Sequence, residues 1–285
     1  PCFGTIARLV KRATKARVLF ICDNVIPHEH RPGDRIFTRY AFSAVDHFIV
    51  QSAAVERELR DFMPGADIAF AAHPVYENFG AGMPKAAARQ KLGIDAERII
   101  LFFGYVRRYK GLLTLLEAMP AILRWQRVNL LVVGEFYDSE QQYREIIAAT
   151  GISDSVKVYS EYVPNDEVGT YFSAADVVVL PYVSATQSGI VQIAYQFDKP
   201  VIATNVGGLA EVVQDERTGF IVPPSAPEEL AHAVIRFYSE AREEEFVRTV
   251  REEKKKYSWN TLVRTIEDRV MNRQFTQSPN PPVTK

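Results

Sequence analysis

The chain of 285 residues has only two cysteines, Cys2 and Cys22, too few for a disulfide framework or a four-thiolate zinc site. That number fits a reducing compartment, and both are read as free thiols. A charge excess of either sign is also lacking: 34 basic against 35 acidic side chains leave a formal net charge of −1. Proteins that grip nucleic acid through its phosphates carry a marked basic surplus, so no nucleic-acid partner is expected. No apolar run approaches the ~20 residues of a membrane span, and the longest, such as Val177–Leu180, are strand-sized. The first residue is Pro1 rather than methionine, and no charged segment followed by an apolar stretch suggests a secretory signal. Internal repeats of fixed period are absent too.

What the chain does have is the make-up of a folded protein, with 47% hydrophobic and 24% charged residues. Its length exceeds one ordinary domain of ~100–150 residues and falls short of two full ones. From residue 98 onward, short apolar β-branched runs alternate with turns and helix-period segments, the βα signature of a parallel sheet covered on both faces. The spacing predicts strands at Ile99–Phe103, Asn129–Val133, Val156–Tyr159, Val177–Leu180, Val201–Thr204 and Gly219–Val222, enough for one complete doubly wound domain. Most lack period-2 alternation, as strands buried on both faces do. Apolar stripes at Leu112–Met119 and Glu228–Tyr238 predict covering helices.

Before residue 80 the same grammar gives three strands, Val18–Cys22, Phe48–Val50 and Ile68–Ala71, and helices at Arg35–Ala44 and Ala53–Phe62. Three strands are too few to close a normal core of this type. The breakers Gly80, Gly82 and Pro84 mark a boundary. Later, Arg251–Lys256 reads as a solvated face, Trp259–Val270 as a final amphipathic helix and residues 273–285 as a disordered tail.

Chemistry is expected in loops at the carboxyl ends of the strands, where open parallel sheets bind ligands. Gly104-Tyr-Val-Arg-Arg-Tyr-Lys-Gly111 places cations between two glycines, an arrangement suited to a phosphate, or else a solvated basic turn. It is not a Walker A loop, since no Ser or Thr follows the lysine, and no GxGxxG suggests a dinucleotide site. Pro181-Tyr-Val-Ser-Ala-Thr-Gln-Ser-Gly189 precedes a helical run, Ile190–Phe197. Its Ser188-Gly189 amides suit an anion, or else Thr186 or Ser188 simply caps the helix. The third loop is Asn205-Val-Gly-Gly208. Three such loops on one sheet edge weigh more than any one of them.

Gly104…Lys110-Gly111, the Asp176…Pro181 strand, Lys199-Pro-Val-Ile-Ala-Thr-Asn-Val-Gly-Gly208, Glu211-Val-Val and Thr218-Gly-Phe-Ile-Val-Pro-Pro224 together resemble successive motifs of the family 4 glycosyltransferases. The resemblance covers roughly residues 85–272. Residues 16–80, with Asp23-Asn-Val-Ile-Pro-His-Glu29 and Asp46-His-Phe-Ile-Val-Gln-Ser52, are similar to the closing third of that family's acceptor domain, so its front is expected to be missing. The implied fold is GT-B: α/β, a doubly wound, parallel-sheet, Rossmann-like C-terminal domain plus a partial Rossmann-like N-terminal one. The expected organisation is 1–80, partial acceptor domain; 81–256, nucleotide-sugar domain; 257–272, a terminal helix crossing back to the first domain; and 273–285, tail.

The resemblance implies transfer of a sugar, with retained configuration, from a UDP-, GDP- or ADP-sugar to a glycan, lipid or small-molecule hydroxyl. Arg107 and Lys110 are then expected to neutralise the departing diphosphate, with Gly104, Ser188, Gly189, Gly207 and Gly208 around it and the Glu161-Tyr162-Val163 loop at the base. Neither a DxD motif nor a His/Cys metal spacing is present, so no catalytic metal and no further cofactor are expected.

Two departures stand out. Tyr105 occupies the position where the family often has arginine. The family's two glutamates, eight positions apart around the second loop, are absent: counting from Pro200 gives Ala185 and Ile193, and aligning on Gly189 gives Thr186 and Ala194. Gln187 and Gln192 are the candidates to take over their hydrogen bonds. His28 is a third catalytic candidate, guiding sugar or acceptor hydroxyl, or else a surface histidine. His47 and His73 read as structural, and Trp125 and Trp259 as helix-packing aromatics. Rival readings are a non-catalytic nucleotide-sugar-binding module and a sugar-nucleotide epimerase. A cytoplasmic protein is expected, at the inner membrane face or self-associating through its incomplete first domain.

Overall fold

In the computed structural model, which describes residues 2–27 and 31–271, helices wrap two parallel sheets. The elements run α1 (Cys2–Ala13), β1 (Leu19–Cys22), α2 (Asp34–Phe42), β2 (His47–Val50), α3 (Ala53–Phe62), β3 (Ile68–Phe70), α4 (Lys85–Lys91), β4 (Ile99–Phe103), α5 (Leu112–Trp125), β5 (Asn129–Val133), α6 (Glu140–Ala149), β6 (Val156–Tyr159), α7 (Asn165–Ala174), β7 (Val177–Leu180), α8 (Gly189–Gln196), β8 (Val201–Thr204), α9 (Leu209–Val212), β9 (Gly219–Val222), α10 (Pro227–Ser239), α11 (Glu243–Glu253) and α12 (Trp259–Met271).

The second sheet has the order β6-β5-β4-β7-β8-β9, and all six strands occupy the residues that the apolar runs predict. Alternate side chains enter two different apolar layers. Ile100, Phe102, Leu130 and Val179 pack with α5 and α10 on one face, while Ile99, Leu101, Leu131 and Val178 pack with α7 and α8 on the other. Each such buried side chain contributes roughly 1.5–3 kcal/mol, and with both faces dry no period of two is needed.

The first sheet is β1-β2-β3, also parallel. Here the structure corrects the expectation of an unclosed core. Phe48 and Val50 pack with Phe42, Val55, Leu59 and Phe62 from α2 and α3, while Ile49 and Ala69 are covered by Leu262 and Ile266 of α12. Arg269 of α12 also pairs with Asp67 at 2.6 Å. The edge does stay open: Phe20 and Ile21 of β1 are 39% and 38% exposed, and Phe3, Ile6 and Leu9 of α1 face solvent.

Helices α1, α4, α6 and α7 were not among those expected from the sequence. Helix α4 has a specific task, since Lys85 and Arg89 converge on the buried Asp176, which also accepts from the Ile99 amide and the Tyr238 hydroxyl. Segment 251–256 is less solvated than its charge suggests. Glu253 is buried, and Lys254 reaches the Asp198 carboxylate at 2.5 Å.

Candidate functional site

The chain leaves β4 for β5 and β6 on one side and returns to β7 on the other, so a crevice opens between the carboxyl ends of β4 and β7. The three loops foreseen as anion-binding interlock around it. Val183 N donates to Tyr109 O at 2.7 Å, and Gly208 N donates to Thr186 O at 2.8 Å. Gly111, at φ +67°, lies so close to the next loop that a Cβ would stand 1.9 Å from Pro181 O. Gly207, at φ +51°, would put one 1.8 Å from Ala185 O, so neither position admits a side chain. The Gly208 amide is thus already engaged within the loops.

Lys110 closes a 3₁₀ turn, Arg108–Lys110, and its side chain folds under the loop rather than into solvent. A Cβ on Gly104, at φ +100°, would lie 3.1 Å from Lys110 Nζ and 3.2 Å from Ile190 Cδ1, so the amine sits between the first loop and the start of α8. Tyr182 offers the nearby ring face, 5.7 Å away. Burial, and then the Arg107 guanidinium, push the Lys110 pKa down to about 8, and no carboxylate among the described residues offsets them. Arg107 stacks over Tyr137, 4.0 Å from its centroid, and Tyr105 packs edge-on against the same ring.

Ser188 caps α8, its Oγ accepting from the Ile190 amide at 3.3 Å and lying 3.2 Å from Tyr182 Oη. The capping reading of the second loop is therefore realised at Ser188, while Thr186 donates to Asn24. Above Gly189 sits Tyr76, whose hydroxyl would be 2.9 Å from a Cβ there. Burial, and then Asp23, raise its pKa, and its hydroxyl lies 3.2 Å from His73 Nε2.

Polar contacts cross from the first sheet's loops to these three. Gln187 Nε2 donates to Asp23 Oδ1 at 2.8 Å and to Gln51 Oε1 at 3.1 Å, and Ser52 Oγ donates to Thr186 O. Glu211 accepts from the Ala53 and Ala54 amides at 2.7 and 3.0 Å, filling the role of an acidic group at the N-terminus of α3. Tyr76 was not singled out from the sequence, and the motifs that contain Asp23, Gln51 and Glu211 stood out without these roles, which depend on contacts between distant segments.

Gln192 is buried within α8, and its Oε1 lacks a partner among the described residues. Tyr162 is 63% exposed beyond β6, and Val163 packs against the core beside it. His28 lies outside the described residues. His47 pairs with Asp67 at 2.6 Å, Trp125 stacks on Tyr238, and Trp259 donates to Val75 O at 3.0 Å. Both thiols are free. A cavity of about 420 Å³ lies at the opposite, amino ends of β7 and β8, lined by Met83, Lys85, Phe197, Lys199 and Glu243. Among the described residues no three His, Cys, Asp or Glu side chains cluster to hold a metal ion. No helix among them is long and apolar enough to cross a membrane.

A family model described as Glycosyl transferases group 1 matches residues 97–240, just over half of the chain. An uncharacterized glycosyltransferase of Methanocaldococcus jannaschii is 31% identical over 181 residues, 62% of this chain and 45% of that protein. A D-inositol 3-phosphate glycosyltransferase of Segniliparus rotundus is 36% identical over 149 residues, 50% of this chain and 33% of that protein. The chain thus spans less than half the length of these relatives. Among solved structures, the sucrose-phosphate synthase of Thermosynechococcus elongatus has a TM-score of 0.77 at 21% identity, covering 93% of this chain and 70% of that one. The Anabaena protein Alr3699/HepE, in complex with UDP-glucose, also has a TM-score of 0.77, at 18% identity and with 93% and 75% coverage. The architecture is the GT-B type, with two Rossmann-like sheets.

Proposed function

Because the chain belongs to the group 1 glycosyl transferases, we propose that it binds a nucleotide-diphosphate sugar in the crevice between β4 and β7 and serves its transfer to an acceptor hydroxyl. The observation that carries this reading is Lys110: a buried amine with no carboxylate partner among the described residues, beside Arg107 and the start of α8. Such a cation is costly to bury and is rationalised by an anion arriving next to it. In the proposed reaction the bond between the anomeric carbon and the β-phosphate oxygen breaks as the acceptor oxygen bonds to that carbon, and the acceptor's proton passes to the leaving oxygen or to solvent. The leaving oxygen takes up one negative charge beyond the two the donor already carries. Lys110 and Arg107 offset the charge that develops there, so they favour the transition state over the intact donor. Gly104 lets the backbone approach, Ser188 and Gly189 present the start of α8, and Tyr162 and Val163 flank the base.

The reading extends to retention of configuration, catalysis without a metal, and a glycan or lipid-linked acceptor. It extends also to a cytoplasmic site of action near the inner membrane face. Self-association is supported by the exposed Phe3, Ile6 and Leu9 and by the open β1 edge. HepE with UDP-glucose makes UDP and its sugars the first probes. Calorimetry with UDP, GDP and ADP tests binding, and product analysis with matching donors and acceptors tests transfer. Binding without any product would make the chain a nucleotide-sugar-binding module, and failure of every nucleotide to bind would remove the proposal.

A further inference from the structure

The loop from Pro181 to Gly189 holds hydroxyls, one amide side chain and backbone, but no carboxylate. Sugar hydroxyls need acceptors, and an ionised carboxylate, with about four lone-pair sites, is the strongest that a side chain supplies. One reaches this loop from the other sheet. Asp23, exposed just past β1, has its Oδ1 2.8 Å from Gln187 Nε2, and Gln187 is held from a second side by Gln51 Oε1 at 3.1 Å. Both contacts use the amide nitrogen. Gln187 Oε1 is therefore left buried, with no partner among the described residues, an acceptor fit for a ligand's hydroxyl. The Tyr76 hydroxyl over Gly189 lies within the field of the same carboxylate.

We propose that Asp23, positioned by Gln187, is the carboxylate that recognises the donor's sugar, and that the sugar is uncharged with free hydroxyls. This rests on the nucleotide-sugar reading given above. A sugar bearing its own carboxylate meets like charge at Asp23 and is disfavoured. Recognition is divided between the two sheets: the diphosphate meets Lys110 on one, and the sugar meets Asp23 on the other. Asp23 thus adds affinity for the nucleotide sugar while leaving the bare nucleoside diphosphate indifferent to it.

The test is calorimetry on the whole chain, wild type and Asp23→Asn, with UDP, GDP and ADP, with the glucose conjugate of each, and with UDP-glucuronic acid. Glu211→Gln serves as a control that loosens the contact between the sheets away from Asp23. Asp23→Asn is expected to weaken the accepted glucose conjugate by tenfold or more and the matching diphosphate by less than twofold. It should also narrow the preference of the wild type for UDP-glucose over UDP-glucuronic acid, which a purely structural role would not do. Glu211→Gln should leave the ratio of sugar-nucleotide to diphosphate affinity unchanged. Equal weakening of both ligands, or of neither, overturns the assignment to Asp23 alone. If no nucleotide binds the wild type, the functional reading falls and this inference with it.

Discussion

Replacing Lys110 by methionine should move stability and affinity in opposite directions. The residue is 9% exposed, and the pKa of its amine is pushed from 10.5 down to about 8. At about 1.4 kcal/mol per pH unit, that displacement corresponds to about 3 kcal/mol of folding free energy lost in keeping the amine charged at pH 7. Methionine has a similar length, carries no charge and repacks readily, so most of that cost is relieved. The free protein should melt a few degrees higher, since ~1 kcal/mol is worth about 2–4 °C in a domain of this size. Nucleoside diphosphate affinity, or kcat/KM where transfer is measurable, should meanwhile fall by about 100- to 1000-fold, the usual loss for one such electrostatic contact. Scanning calorimetry of the free protein and titration calorimetry with UDP, GDP and ADP supply the two readouts. A lysine retained for structure gives the opposite pattern, a lower melting temperature with affinity intact, and that result would refute the reasoning.

Buried charge has three further measurable outcomes. Lys110 and Lys199 both have pKa values pushed down to about 8, chiefly by burial, whereas the unfolded chain holds those protons to about 10.5. The unfolded state thus binds more protons, and urea-unfolding stability should rise by about 1 kcal/mol per lysine between pH 8 and 9. Above pH 9 Cys22, pushed up to about 12, begins to act in the opposite sense, and diphosphate affinity should already be falling above pH 8 as Lys110 loses its proton. Asp176→Asn should cost about 3 kcal/mol in urea unfolding at unchanged m, because it leaves Lys85 and Arg89 without the buried carboxylate on which they converge. A loss below about 1 kcal/mol would show that Glu243, 2.5 Å from Lys85, carries the cluster by itself.

The second sheet was legible because a strand buried on both faces must be an unbroken apolar run, and six such runs stand where β4 to β9 lie. The loops were legible as loops because each glycine-bearing segment follows an expected strand, and the structure explains Gly111 and Gly207 by carbonyls less than 2 Å from a Cβ. Helix α1 was not expected although Phe3, Ile6 and Leu9 recur at helical spacing; that stripe faces solvent, and the helix is held instead by Gly4 against Ala41 and by Lys11 pairing with Asp46. The contributions of Asp23, Tyr76 and Glu211 escaped for another reason. Each acts on a residue more than a hundred positions away, such as Glu211 on Ala53, and no local pattern encodes that.

Helix α12 has a kinetic consequence. The face of the first sheet around Ile49 and Ala69 is covered by Leu262, and Asp67 pairs with Arg269, 202 positions later. At ~5–20 residues per second, a ribosome needs roughly 10–40 s to make that intervening stretch. During that interval the sheet made first waits with one apolar face bare, while the second sheet, whose strands and covering helices are close in sequence, can already condense. The order of synthesis and the order of completion are thereby reversed. A chain stalled or cleaved before residue 259 would present that uncovered face to chaperones and to its own kind.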